Sequence, residues 1–146
     1  RHPACSSSLR QLAAGGFQEL LVEGFDPAKT RSLLLCSGKI YFELAAAREQ
    51  RGRQDVAILR IEQLYPLRND LLQYEFRLMA GVDRIAWVQE EPRNMGAWSF
   101  LRPHLEELAK RNVTYIGRPE SATPAVGSHR LHQVEQTALV ENAFSV

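Results

Sequence analysis

Short apolar runs alternate along the chain with longer stretches whose apolar residues recur at helical spacing. Residues 32–37 read SLLLCS, 56–61 VAILRI, 85–88 IAWV and 113–116 VTYI. Each run is nearly all apolar and bounded by glycine, proline or polar residues, as expected of strands buried on both faces. After the first run Ile40, Tyr41, Leu44, Ala45 and Arg48 mark a mostly apolar helix face that ends at Gly52. After the second, Leu71, Glu75 and Leu78 fall in line, flanked by Leu72, Phe76 and Met79, and Gly81 ends the helix. Residues 96–111 place Ala97, Leu101, Leu105 and Leu108 on one stripe. The last helix is expected over residues 128–144, with Leu131, Val134, Ala138 and Leu139 facing inward. Strand followed by helix, four times over, predicts an α/β fold: three layers, a mostly parallel sheet with helices on both faces and right-handed crossovers.

Residues 1–31 lack a sustained period and are punctuated by Pro3, Gly15, Gly16, Gly24 and Pro27. They are expected to form a leader packed on the domain of residues 32–146, anchored by Leu9, Leu12, Phe17, Leu20, Leu21 and Val22. One short helix near residues 7–13 fits this segment; a fifth strand is expected either from residues 17–22 or from elsewhere, and periodicity does not place it.

Composition changes the picture little. The 146 residues suffice for one domain with a real core, and 45% are hydrophobic. A formal charge of +1 argues against bulk attraction to nucleic acid. No apolar run approaches the roughly 20 residues of a membrane span. Cys5 and Cys36 read as two reduced thiols, with a disulfide between them the other option. A chain that opens RHPACSSSLRQL, without Met, reads as cut from a longer polypeptide.

In a parallel α/β sheet chemistry gathers at the carboxyl ends of the strands. Four loops are expected there: 36–39, 62–69, 89–96 and 117–128. The first, CSGK, lacks the spacing of a phosphate-binding P-loop, and no GxGxxG occurs. Glu62 is placed to reach a basic partner such as Arg60, Lys39 or Arg93. Glu90 and Glu91 look like a carboxylate pair, but neighbours on an extended chain point to opposite faces. They would have to converge to about 5–9.5 Å for acid/base work on a glycoside. The better reading gives them separate jobs, one organising the loop and one facing an Arg or a partner. Arg93 belongs to the same loop; Asn94 caps or bridges its turn, Gly96 permits close backbone approach, and Trp98 packs beside it or faces a partner. His129 and His132 lie three apart near the start of the last helix, too few for a zinc site. Ser128 is the expected N-cap, and with Arg118 it borders a surface suited to a partner or a phosphate-bearing ligand.

Several strings carry a resemblance: CSGKIYFEL (36–44), DVAILRIEQLYPL (55–67), WVQEEPRNMGAWSFLRP (87–103), YIGRPESATPAVGSH (115–129) and HQVEQTALVENAF (132–144). In order and spacing they resemble the C-terminal domain of the E1 component of 2-oxoglutarate dehydrogenase, over nearly the whole chain. The oxoadipate enzyme and bifunctional decarboxylase forms of E1 share the pattern. The resemblance implies a transketolase C-terminal-like fold and a role in dimerisation and organisation. The parent would be a homodimer that uses thiamine diphosphate and Mg2+ to decarboxylate 2-oxoglutarate and passes the succinyl group to the lipoyl arm of an E2 partner. It would reside in the cytoplasm of a bacterium or the mitochondrial matrix of a eukaryote. In that family a GDG motif upstream holds the diphosphate and metal; this sequence has none. The chain alone is therefore expected to hold no catalytic, cofactor or metal residue and to turn nothing over. Some bacterial members also bind acetyl-CoA as an effector, expected here near Arg93, Arg118, Ser128 and His129. The closing ENAFSV resembles the family's own ending, which places the natural C-terminus near residue 146. A self-contained small-ligand-binding α/β module is the rival, and a free-standing interaction domain using the Trp98 surface a third reading.

Overall fold

The computed structural model describes residues 6–23 and 25–145. Cys5 lies outside the described residues, and Cys36 is buried as a free thiol. The described elements follow in order α1 (Leu9–Ala14), β1 (Leu20–Val22), β2 (Ser32–Cys36), α2 (Ile40–Gln50), β3 (Val56–Ile61), α3 (Asn69–Leu78), β4 (Arg84–Pro92), α4 (Trp98–Ala109), β5 (Thr114–Arg118) and α5 (His129–Phe144). The sheet runs β1-β3-β2-β4-β5. β2 pairs in parallel with β3 and β4, and β4 with β5, while β1 runs antiparallel along β3 with Leu20 opposite Ile61. The leader thus contributes the fifth strand, at the edge of the sheet.

Period-two alternation sorts each strand's apolar residues between two cores. Leu33 and Leu35, Ala57, Leu59 and Ile61, and Ile85 and Trp87 face one side, where α3 supplies Leu72 and Phe76 and α4 supplies Trp98, Leu101 and Leu105. Leu34, Cys36, Ile58, Ala86 and Val88 face the other, covered by Ile40, Tyr41 and Leu44 of α2 and Leu139, Ala143 and Phe144 of α5. The three layers are complete. The central strands read as continuous apolar runs because neither of their faces meets water.

Three expectations change. Leu9, Leu12 and Phe17 are exposed, so the leader is held through Leu20, Val22 and Phe25 instead. β4 is longer than IAWV: it runs on through Gln89, Glu90 and Glu91 to Pro92, with a register irregularity against β5 between Val88 and Pro92. The inward face of α5 is Gln136, Leu139, Ala143 and Phe144, while Leu131, Val134 and Ala138 stand in water. Polar anchors set that phase. The Gln136 amide donates to Glu43 of α2 (3.0 Å), and His132 meets Arg118 of β5 (2.8 Å). A buried polar group with a partner outweighs a poorly placed leucine, and apolar periodicity alone does not register it.

Candidate functional site

β2 lies between β3 and β4, so the chain leaves β2 toward one side and later crosses to the other. The carboxyl ends of β2 and β4 therefore flank the crevice where α/β sheets of this kind hold ligands. Here the chain's own charges occupy it. Lys39, just after β2, forms an ion pair with Glu90 of β4 and lies 4.0 Å from Glu43. Glu62, at the end of β3, accepts a hydrogen bond from the Gly38 amide (3.3 Å). The same Glu62 oxygen lies 3.0 Å from Arg60 Nε, whose guanidinium covers the Tyr41 ring at 4.6 Å. The anion that faces the turn into α2 is thus a side chain of the protein.

Glu90 and Glu91 take separate roles. The carboxylate of Glu90 pairs with Lys39, whereas Glu91 is exposed and serves the loop through its backbone carbonyl, which accepts from Tyr115 Oη (3.1 Å). The loop's organiser is the residue before them. Gln89 is 3% exposed. Its Oε1 accepts from Trp87 Nε1 (2.8 Å) and the Trp98 amide (3.1 Å). Its Nε2 faces the carbonyls of Met95 (2.8 Å), Pro92 (3.2 Å) and Glu91 (3.3 Å). One amide side chain thereby ties the end of β4, the turn and the first amide of α4 together. Sequence reading passed over Gln89 because it is polar at the end of an apolar run. The signal was its phase: it continues the buried face of Ile85 and Trp87.

Two glycines let this packing close. Gly96 has φ +66°, and a Cβ there would sit 3.0 Å from Gln89 Nε2. A Cβ on Gly117 would come within 2.8 Å of the Gln89 carbonyl. Trp98 is 5% exposed, its ring 5.4 Å from Tyr115, so it belongs to the core of the corner and not to the surface of this chain. Arg93 stacks over the outer part of the same cluster, 5.5 Å from the Tyr115 centroid, and burial pushes the Tyr115 phenol above its ordinary value.

Asn94 bridges loops. Its Nδ2 donates to the Ser121 carbonyl (3.0 Å) and its Oδ1 accepts from the Ser121 amide (3.1 Å), clamping the 93–97 turn to the segment after β5. Ser128 Oγ accepts from the Leu131 amide at 3.4 Å, as expected of an N-cap. The two histidines part company. His129 is exposed, and His132 Nδ1 lies 2.8 Å from a terminal nitrogen of Arg118. Arginine can only donate, so His132 accepts at Nδ1 and its neutral form carries the proton on Nε2. Arg118 is 8% exposed and also lies 3.0 Å from Glu135 Oε2, without hydrogen-bond alignment. It is a structural tie between β5 and α5, already engaged on both sides.

Among the described residues no three His, Cys, Asp or Glu side chains come together as a metal site, and the sequence has no GDG. No chemical step on this chain is assigned to thiamine diphosphate or Mg2+. A cleft of about 760 Å³ lies away from the strand-end loops, between α2 and residues 25–29, lined in part by Phe25, Tyr41, Phe42, Ala45 and Val56. No helix among the described residues is long and apolar enough to cross a membrane.

The fold and the loops define a domain of the strand-end α/β class whose edge is filled by its own ion pairs and hydrogen bonds. The 2-oxoglutarate dehydrogenase C-terminal family model matches residues 6–144, and the chain belongs to that family. It is 39% identical over 153 residues to the 2-oxoglutarate dehydrogenase E1 component of Azotobacter vinelandii. The identity is 41% over 149 residues to that of Haemophilus influenzae and 40% over 155 to that of Bacillus anthracis. These alignments cover 99–100% of this chain but 16% of each relative, so the chain spans about a sixth of their length.

Proposed function

We propose that this chain serves as the C-terminal organising and dimerisation domain of a 2-oxoglutarate dehydrogenase E1. The parent enzyme would decarboxylate 2-oxoglutarate on thiamine diphosphate and Mg2+ held by other regions, and succinylate the lipoyl group of an E2 partner. The observation that carries this reading is the end-to-end match to E1 components of which the domain is only a sixth. The geometry supports it: at the strand-end edge the described side chains are engaged within the chain, Lys39 with Glu90 and Glu62 with the Gly38 amide. In this reading residues 1–31 lead into the domain of residues 32–146, and the loops bearing Glu91, Arg93, Asn94, Ser128 and His129 face the rest of the enzyme or an acetyl-CoA effector. Its compartment would be the cytoplasm in a bacterium or the mitochondrial matrix in a eukaryote.

The test is a fusion in which this chain replaces the matching region of the Haemophilus influenzae relative. The fusion is expected to be dimeric and to release CO2 from 2-oxoglutarate, while the isolated chain neither turns over substrate nor binds thiamine diphosphate. A folded fusion without activity would sink the proposal. The cleft beside α2 favours a second reading, a self-contained small-ligand module. Micromolar calorimetric binding of a nucleotide, coenzyme A or a flavin by the isolated chain would establish it in place of the first.

A further inference from the structure

With Trp98 inside the domain, the aromatic residues that reach water at this corner are its neighbours. Tyr65, in the loop after β3, is 83% exposed, and Phe100, in the first turn of α4, is 39% exposed. Their rings meet edge to face at 6.4 Å and 61°. Phe100 continues the row to His104 one helical turn on, at 5.1 Å. Single exposed apolar residues are ordinary, but three aromatic rings in a contiguous row are not needed for this domain's own core. The nearby Leu64, Leu67 and Ala97 already pack against the core that contains Trp98 and Leu101. Tyrosine and phenylalanine lose little side-chain freedom on docking and bury large areas, which makes such rows binding anchors.

We infer that the Tyr65–Phe100–His104 row is a docking platform for the part of an E1 polypeptide that lies outside this domain. The inference rests on the reading of the chain as an E1 domain. Two observations select that occupant. In the E1 relatives five-sixths of the polypeptide lies outside the matched region, and it has to be held against this domain somewhere. The row is built from the loop after β3 and the first turns of α4, next in the chain to the turn whose Met95 carbonyl accepts from Gln89, so a partner seated on it meets a hydrogen-bonded corner. The partner surface is expected to be apolar, with aliphatic or aromatic side chains opposite the Tyr65 and Phe100 rings. A hydrogen-bond acceptor on it would meet the phenol hydroxyl.

Hydroxyl-radical footprinting read by mass spectrometry tests this on the isolated chain and on the Haemophilus fusion. Tyr65 and Phe100 are expected to lose reactivity severalfold in the fusion. Tyr74, exposed on α3, serves as the internal reference. Equal reactivity of Tyr65 and Phe100 in both samples overturns the inference. So does protection that appears in the isolated chain as its concentration rises, which would assign the row to a second copy. Activity of the fusion reports separately on the E1 reading: an active fusion with an unprotected row removes the platform and keeps the function. As a second measure, Tyr65→Ser with Phe100→Ser should leave the far-ultraviolet circular dichroism of the isolated chain unchanged and speed proteolysis at the fusion junction. Unchanged proteolysis with an intact fold counts against the platform.

Discussion

At the residue scale Gln89 decides the shape of the candidate loop. Its amide nitrogen donates where only carbonyls are available, and its oxygen accepts where only N–H groups are available, so orientation and chemistry are both specified. Gln89→Glu keeps the shape and replaces the donor with a carboxylate oxygen facing the carbonyls of Met95, Pro92 and Glu91. An uncompensated buried charge of this kind costs about 3 kcal/mol. The urea midpoint should fall accordingly with an unchanged denaturant slope. A variant as stable as the parent would show that the hydrogen bonds around Gln89 do not hold the corner. Other residues here were legible. Glu62 on Arg60 and Ser128 as N-cap follow from short-range chemistry, while Asn94 as a bridge follows from its place in the turn, with Ser121 as the partner the fold supplies. Gln89 was passed over although its partners lie within nine residues, because only the folded turn brings them around one buried amide. The partners of Arg118, His132 and Glu135, come from α5, and burial makes this arginine structural.

At the element scale the end of α5 shows how a helix terminus is satisfied without a glycine cap. The last carbonyls of a helix lack partners within it. Here Arg84 of β4 donates to the carbonyls of Ala143 (3.3 Å) and Asn142 (3.4 Å), and Arg53 donates to that of Phe144 (2.8 Å). Burial, with the nearby Arg53 cation, pulls the Arg84 guanidinium below its ordinary value. The two arginines hold α5 across the sheet and keep Phe144 in the second core. Arg84→Ala should destabilise the chain by about 1 kcal/mol. Amide hydrogen exchange should quicken in the last turn of α5 and remain unaltered in α4. Exchange that stays slow there would mean that packing of Leu139, Ala143 and Phe144 suffices. The strands were read correctly from their apolar runs. The tail of β4 was not, since QEEP carries no apolar signal and its pairing with Arg118 depends on β5 lying alongside.

For the whole molecule, acid stability follows from carboxylates paired with arginine. A hydrogen bond from Arg53 holds Asp55 below its usual value, and one from Arg68 holds Asp70 down at about 2. A depressed folded pKa means that the linked stability is complete above the unfolded value of about 4 and is lost as pH falls through the folded one. Glu75 has the opposite sign. Burial raises its pKa, so its contribution is full below the unfolded value and declines as pH rises through the folded one. The urea midpoint should therefore fall steeply only below about pH 4. Asp55→Asn should flatten that descent. An acid limb identical in this variant would remove the Arg53–Asp55 pair from the explanation.

The sequence by itself determined the α/β class, the central strands and the family resemblance; the place and direction of the edge strand came from the tertiary structure. Apolar period and turn residues act over a few positions, and the matched strings are local text. Only the tertiary structure decided that Trp98 lies inside, that α5 turns its glutamine inward, and that Lys39 and Glu90 close the crevice between β2 and β4. Each of these depends on which groups distant in sequence arrive within hydrogen-bonding or packing distance. A polar side chain is buried when such a partner is present and remains in water when it is not.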